Sequence, residues 1–343
     1  MKKPRVGVIM GGTSGEREVS LRSGAAVANA LLMRGHDVVS IVLAQGGDPG
    51  LAIRRSGIDL AFLALHGRLG EDGCVQGLCE LYGIPYTGSS VLASALSMDK
   101  VKSKELFRLH NLPTPPYYTV AATEPLADDA AKSPAGDLEE IHGSFGFPVV
   151  VKPRGEGSSL GVAKASSLSE LDRAIRAALA LDEIVLVERF VAGKEVQVGI
   201  LNGRVLGAIE VAPKRGIYDY ESKYTPGLTD YYMPARLPAT RYGGVLNLAE
   251  RAARILGCSG GVRVDLLVTE GHNEYVLEVN TLPGMTETSL LPKIASGAGY
   301  EFGQLCEAIL ESARLHANSQ GRPRQDSGTD FDLDELEPRR RAG

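Results

Sequence analysis

Residues 5–10 form a compact apolar run that ends in Gly11-Gly12-Thr13-Ser14-Gly15. Positions 16–33 then carry apolar residues at helical spacing, and Gly35 closes the segment. The pattern predicts a strand, a glycine turn and a helix. Residues 36–43 and 60–65 read as further strands, which gives an open α/β domain to about Ser97. A basic amphipathic helix is predicted over 98–110, stopped by the prolines at 113, 115 and 116 before a strand at 117–120. Residues 121–140 read as an exposed connection with a little helix at its end. Later come a strand at 147–152, a helix at 167–181, a strand at 184–188, and a hairpin of 195–201 with 204–210 around Asn202-Gly203. Helices are predicted at 245–256 and 302–316, and from 317 the chain turns polar and charged, as a disordered tail does.

The segment 262–284 is the most informative. Val262, Val264 and Leu266 alternate with Arg263 and Asp265, and Tyr275, Leu277 and Val279 alternate with Glu278 and Asn280. With Gly271-His272 as a two-residue turn, Asp265 falls opposite Glu278 and Arg263 opposite Asn280, all on one face. Two facing carboxylates repel, and each would cost several kcal/mol to bury without a partner. A hard divalent cation held by Asp265, Glu278 and the Asn280 carbonyl oxygen resolves this, and oxygen ligands suit magnesium that also carries substrate phosphates. The alternative is a surface face on which Asp265 simply pairs with Arg263.

Composition narrows the class. The chain has 343 residues, 43% hydrophobic and 23% charged, which suffices for two or three domains with ordinary cores. A formal net charge of −5 with dispersed lysines and arginines argues against a general nucleic-acid binder. Cys74, Cys79, Cys258 and Cys306 have no metal-binding or CxxC spacing and read as reduced thiols of a cytoplasmic protein. No run has the length of a signal peptide core or a membrane span.

Further chemistry lies in loops. Lys152 ends a strand and precedes a loop with glycines at 155, 157 and 161 and with Ser158 and Ser159. This is not a Walker A sequence, yet converging amides beside a lysine suit a phosphate chain; a plain hairpin turn is the alternative. Glu16 is either a ligand group beyond a strand end or a helix-start acid favoured by the dipole. His66 is either a ligand or a structural histidine. Residues 213–232 are polar, aromatic and aperiodic, as a lid is.

Six ordered stretches, GGTSGEREVSLRSG (11–24), LHGRLGEDGCVQG (65–77), SALSMDKVKSKE (94–105), VKPRGEGSSLGV (151–162), YDYESKY (218–224), and VRVDLLV with LEVNTLPGMTETSL (262–290), resemble the D-alanine:D-alanine ligases of the ATP-grasp superfamily. The resemblance spans Val6 to about His316. It implies an ATP-grasp fold: an N-terminal open parallel α/β domain (1–98) and two α+β domains (99–188 and 189–316) that clasp ATP, with 317–343 outside. It implies that Lys100 and Lys152 hold the phosphates under the loop of Gly157, Ser158 and Ser159. Glu188, Val191 and Glu195 would meet adenine and ribose, and Asp265, Glu278 and Asn280 would ligate two Mg2+ or Mn2+ ions. Glu16 would take the ammonium of the first D-alanine, and Lys223 and Ser289 the carboxylate of the second, with His66 and Leu290 beside them. Glu16, Ser158 and Tyr224 would form a triad pinning the lid, and Arg263 with a backbone amide near Gly284 would stabilise the oxyanion. The implied activity is ATP-dependent ligation of two D-alanines through a D-alanyl phosphate, for peptidoglycan precursors, by a homodimer. A relative using D-lactate or D-serine is the nearest alternative; lactate users commonly carry His where this chain has Tyr224.

Overall fold

A computed structural model of the chain describes residues 3–122, 135–214, 225, 227–271, 273–286 and 289–317. In its N-terminal part the parallel strands β1 (Arg5–Gly11), β2 (Asp37–Leu43) and β3 (Leu60–Leu63) form a sheet in the order β2-β1-β3. Strand β1 is central and covered on both faces, so its apolar run is continuous rather than alternating. Helix α1 (Arg17–Met33) crosses back over this sheet and buries Val27, Ala28 and Leu31. Its Gly24 has no substitute, because the Met10 side chain lies 2.6 Å from where a Cβ would stand. Three helices that the periodicity did not announce follow: α2 (Pro49–Arg55), α3 (Cys74–Tyr82) and α4 (Val91–Met98). At two turns or so, each is too short to show a period.

The single helix expected over 98–110 is broken. Helix α5 (Lys100–Leu109) starts afresh after Asp99, whose extended backbone ends α4 and whose carboxylate accepts from the Val101 and Lys102 amides at 3.0 Å. A capping aspartate leaves the helical region to reach those amides, so the break is built into the sequence. It places Lys100 at the first position of α5.

A second, antiparallel sheet holds β4 (Tyr117–Ala121), β5 (Val149–Pro153), β6 (Ala163–Ala165) and β7 (Ile184–Arg189) in the order β4-β7-β5-β6. Helices α6 (Ala135–His142) and α7 (Leu168–Leu179) bury one of its faces. A third sheet has the order β10-β9-β8-β11-β12, from β8 (Lys194–Leu201), β9 (Arg204–Pro213), β10 (Thr229–Tyr232), β11 (Gly261–Val268) and β12 (Glu274–Asn280). Asn202 and Gly203 turn β8 into β9 with φ of +51° and +79°, the left-handed pair expected of Asn-Gly. Helix α8 (Ala239–Ile255) packs on this sheet and starts earlier than the expected 245, since the glycines at 243 and 244 obscure its first turns.

The β11–β12 hairpin pairs Arg263 with Asn280 and Asp265 with Glu278, as the alternation requires. Its turn differs from expectation. The strands end at the Val268–Glu274 pair, and the Thr269 amide donates to the Asn273 carbonyl at 3.1 Å. A bulge after Asp265 absorbs the difference, pairing Leu266 with Val276. It also corrects the expected facing of β12: Val276 and Val279 enter the core, while Leu277 turns to the polar side. On β11, Val262, Val264, Leu266 and Val268 are each at most 2% exposed. At about 1.5–3 kcal/mol per buried side chain, they fix which face Asp265 takes.

Helices α9 (Leu290–Gly297) and α10 (Phe302–Leu310) close the chain against α1 and the third sheet. The last helix is shorter than the expected 302–316. Arg314 instead bridges to Tyr86, and the His316 and Ala317 amides donate to the Glu80 carboxylate, so the chain is still anchored at 317. The expected tail from 318 onward lies outside the described residues. Among the described residues no helix is long and apolar enough to cross a membrane.

Candidate active site

A cavity of about 370 Å³ opens between the second and third sheets. Lys152 reaches it from β5, Glu188 from β7, Val191 from the link after β7, and Glu195 from β8. Asp265, Leu267, Leu277 and Glu278 form its floor, and Ser159 and Leu160 come from the glycine loop. Apolar side chains such as Val150, Phe190, Val191, Leu267 and Leu277 alternate in its lining with lysines and carboxylates, a mixture that suits a flat ring carrying an anionic chain.

The cations at that end already have partners. Lys152 Nζ lies 2.6 Å from one Glu188 oxygen, and Lys104, fully buried, lies 2.8 Å from the other. Burial alone would raise the Glu188 pKa, but the two ammoniums outweigh it and hold the carboxyl at about 2. Burial likewise works against the Lys152 charge, yet Glu188, Glu278 and Glu195 raise its pKa. Lys104 is lowered, by burial first and by Lys152 second, with Glu188 opposing. Lys100 donates to the Glu156 carbonyl at 2.5 Å and stands 3.7 Å from Glu278.

A smaller, polar cavity of about 100 Å³ adjoins the first and shares Glu278 with it. Glu16 precedes α1 but makes no side-chain cap bond to it; its carboxylate instead accepts a hydrogen bond from Ser158. Glu16 thus stands at the N-terminus of α1, as the helix-start reading has it, and is also tied to the glycine loop. Ser158 and Ser159 adopt φ of +46° and +59°, uncommon for residues with a Cβ, and this kink turns the loop toward Glu16. A Cβ on Gly157 would meet the same carboxylate and force the Glu16 side chain to shift, so the bare position lets the loop come this close to it. His66 is 6% exposed, with Nε2 3.3 Å from the Ser23 hydroxyl and Nδ1 3.7 Å from Glu71. Burial lowers its pKa, but Glu71 and Glu16 more than offset this, and the net shift is upward. On the far wall Ser289 accepts from the Thr286 amide at 3.0 Å, and a Cβ on Gly284 would stand 2.7 Å from the Ser289 hydroxyl. Leu290, first residue of α9, completes that wall.

Between the cavities lies the polar face of the hairpin. Arg263 grips Asp265 with two bonds, of 2.7 and 2.9 Å, and Asn280 Nδ2 is 3.4 Å from the same carboxylate. The Arg–Asp pair foreseen for a surface face is present, but the face is interior: Asp265 is 3% exposed. Asp265, Glu278 and Asn280 carry oxygens of the kind a hard divalent cation takes, while in this arrangement Arg263 holds both Asp265 oxygens and Asn280 turns its Nδ2 toward them. Among the described residues no group of three or more His, Cys, Asp or Glu side chains could hold a metal ion, so any ion here needs ligand oxygens from elsewhere.

Every expected site residue that the structure describes borders one of these cavities or the loop between them. Lys223 and Tyr224 lie outside the described residues, as do 215–222 and 226 of the expected lid at 213–232; its two ends are not loop, because Pro213 closes β9 and Thr229–Tyr232 pair with β9 as β10. Among the residues missed are Lys104, Gln197 and Glu71. Lys104 sits one turn beyond Lys100 on α5, behind the wall of the larger cavity, a signal only if its burial were known. Gln197 shares a strand face with Glu195 and lines the smaller cavity, fully buried, with no hydrogen-bond partner for Oε1 among the described residues. Glu71 was inside a recognised stretch, but its contact with His66 needs the fold.

Two family models match: D-ala D-ala ligase C-terminus over residues 106–311 and D-ala D-ala ligase N-terminus over residues 47–89. The chain is 51% identical over 315 residues to a D-alanine–D-alanine ligase of Geotalea uraniireducens, covering 92% of this chain and 97% of that one. Against the Geobacter sulfurreducens enzyme of the same name it is 50% identical over 324 residues, 94% and 98% of the two chains. The D-alanine–D-alanine ligase of Bacillus anthracis complexed with ATP superposes with a TM-score of 0.74 at 36% identity, over 90% of this chain and 97% of that one. The VanG D-Ala:D-Ser ligase of Enterococcus faecalis gives a TM-score of 0.77 at 30% identity, over 91% and 99%.

Proposed function

The chain belongs to the D-alanine–D-alanine ligase family, and on that premise we propose that its larger cavity holds ATP, its smaller one two D-alanine molecules, and that the phosphoryl group passes between them at Glu278. The fold is ATP-grasp, and the reaction is the ATP-dependent joining of two D-alanines into D-alanyl-D-alanine for peptidoglycan precursors. One observation carries the assignment of cavities: the two share Glu278, with Lys100 and Lys152 on one side and Arg263 on the other.

A carboxylate does not react with an amine, so it must first gain a leaving group. An oxygen of the first D-alanine carboxylate attacks the γ-phosphorus, the bond from that phosphorus to the bridging oxygen breaks, and ADP departs. Such transfer needs positioning and charge neutralisation, which Lys100 and Lys152 provide once they turn from their carboxylate partners to the phosphates. Asp265, Glu278 and Asn280 would hold two Mg2+ or Mn2+ ions, which supply further neutralisation of the phosphate oxygens. The unprotonated amine of the second D-alanine attacks the acyl carbon, the bond from that carbon to the phosphate oxygen breaks as the oxyanion collapses, and the surplus proton on nitrogen passes to the departing phosphate. Arg263 and the Gly284 amide face that oxyanion, a contact worth about 3–4 kcal/mol at comparable sites.

Glu16 binds the first ammonium, while Ser289, with Lys223, binds the second carboxylate; His66 and Leu290 shape the walls. Glu188, Val191 and Glu195 take the adenine and ribose. Ser158, Glu16 and Tyr224 tie the loop and lid over the acyl phosphate, which water would otherwise hydrolyse. Residues 1–98, 99–188 and 189–316 act as the three parts of the clasp, in a cytoplasmic homodimer. Sedimentation that shows a monomer at working concentration would remove the dimer from this reading.

The VanG likeness keeps D-serine in view as second substrate, against the roughly 50% identity to enzymes named for D-alanine alone. Phosphate release with ATP, Mg2+ and D-alanine, repeated with D-serine or D-lactate in competition and products weighed by mass spectrometry, separates them. D-alanyl-D-alanine as the dominant product is expected; a prevailing mixed product would reassign the second substrate.

A further inference from the structure

Lys104 takes no part in the chemistry just described, yet it is the most thoroughly engaged cation near the nucleotide cavity. Its side chain is fully buried behind the wall rather than in it. The ammonium meets Glu188 Oε1 at 2.8 Å, the Thr114 hydroxyl, and the Pro115 carbonyl at 3.4 Å, and it lies 5.3 Å from the centre of the Tyr117 ring. Held on four sides, it cannot follow a ligand. Lys152 differs: it meets the other oxygen of the same Glu188 at 2.6 Å, but its side chain lines the cavity and has room to turn.

We propose that Lys104 is a positioning residue for ATP, the fixed counter-charge of Glu188 that lets Lys152 leave this carboxylate for the phosphates. A carboxylate this deeply buried cannot be left with no cation, because water does not reach it to replace the lost partner. With Lys104 in place the departure of Lys152 leaves an ion pair behind. Without Lys104, Glu188 and the phosphates compete for one ammonium.

The inference rests on the ATP-binding reading of the larger cavity. Its test is the pair of inhibition constants of ADP and adenosine against ATP in the full-length enzyme. In Lys104→Met the constant for ADP should rise at least tenfold, while that for adenosine, which has no phosphates, stays within twofold. An equal rise in both would mean a structural role only and overturns the proposal, as does no change in either. A second comparison uses Glu188→Gln, where Lys152 has no carboxylate to leave. Adding Lys104→Met to that variant should change its ADP constant less than twofold, and a further tenfold loss overturns the proposal. This arm holds even if Lys104→Met alone does not accumulate, because the double variant buries neither charge. Wild-type enzyme that releases no phosphate with ATP and D-alanine would sink the parent reading; normal turnover with unaltered ADP binding in Lys104→Met sinks only the role of Lys104.

Discussion

The two cavities are built on opposite plans. The larger is walled largely by strands of two sheets, and two of its carboxylates are already paired: Glu188 with Lys152 and with Lys104 behind the wall, and Asp265 with Arg263 of the smaller cavity. The smaller joins strand residues of the third sheet, Gln197, Arg263, Glu278 and Asn280, to chain turns far apart in sequence, at 16, 66, 158 and 284–289, with Ser158 hydrogen-bonded to Glu16 across the junction. A strand holds its side chains through a whole ladder and a buried face, so a ligand can be offered a ready surface. A junction of loops is held by the contacts that close it, so closing and binding become one event.

This contrast can be broken from either side. The largest effect is expected where the cavities meet. Glu278→Ala should lower kcat by more than about a hundredfold, because phosphoryl transfer loses charge neutralisation there. Its thermal unfolding should stay near wild type, since Asp265 keeps its two bonds to Arg263. Normal phosphate release by this variant would refute the role of Glu278. Arg263→Met comes next, with kcat reduced about 100- to 1000-fold as for loss of one oxyanion donor. If only the KM for D-alanine moved, Arg263 would be a binding group instead.

Gly157→Ala tests the loop junction alone. Its added methyl meets the Glu16 carboxylate, and the expected result is a rise of about tenfold in the KM for D-alanine, of the order of one lost binding contact. Gly155→Ala in the same loop meets Asp182 at a tolerable 3.3 Å and should be several-fold milder. Equal effects would mean that general loop stiffness, not the contact with Glu16, is being measured.

Smaller still is the pH dependence carried by His66. Its pKa is raised in the folded protein, so the stability it contributes is complete below the ordinary value of 6.5 and fades as pH rises through the higher folded value. The melting-temperature difference between wild type and His66→Gln should therefore narrow between pH 6 and 8. A gap that widened over this range would place the proton elsewhere. Last is Arg68, half-exposed, which joins the turn after His66 to Glu156 at 2.7 Å and Asp182 at 3.3 Å. Exposed pairs contribute about 1 kcal/mol or less, so Arg68→Ala should change kcat/KM for ATP by no more than about threefold. A tenfold loss would make it a true latch between the glycine loop and the first sheet.

How much of this was legible follows the same division. The apolar alternation of 262–268 set Asp265 on the polar face, but its pairing with Glu278 was reached through an assumed Gly271-His272 turn and holds because a bulge after Asp265 makes up the difference. The Asn-Gly turn and the continuous apolar run of β1 were likewise read from local pattern. What failed was local pattern under long-range control. The helix over 98–110 broke at Asp99 because a side-chain cap outcompeted periodicity, and Leu277 changed faces because a bulge took up one residue. Glu71 gained its place at the site through His66 on another segment, and Gln197 through the packing of the third sheet against the smaller cavity.

The amino-acid sequence by itself determined the longer strands and helices, though not the short strands β6 and β10 or the helices α2, α3, α4 and α9, and most of the hydrophobic faces that orient them, because those rest on interactions between near neighbours. The tertiary structure alone decided that Lys104 is buried against Glu188, that Glu16 turns from its helix to Ser158, and that two cavities share Glu278. Those facts depend on distances between residues dozens to hundreds of positions apart and on the absence of water between them, and neither quantity is written in a local pattern.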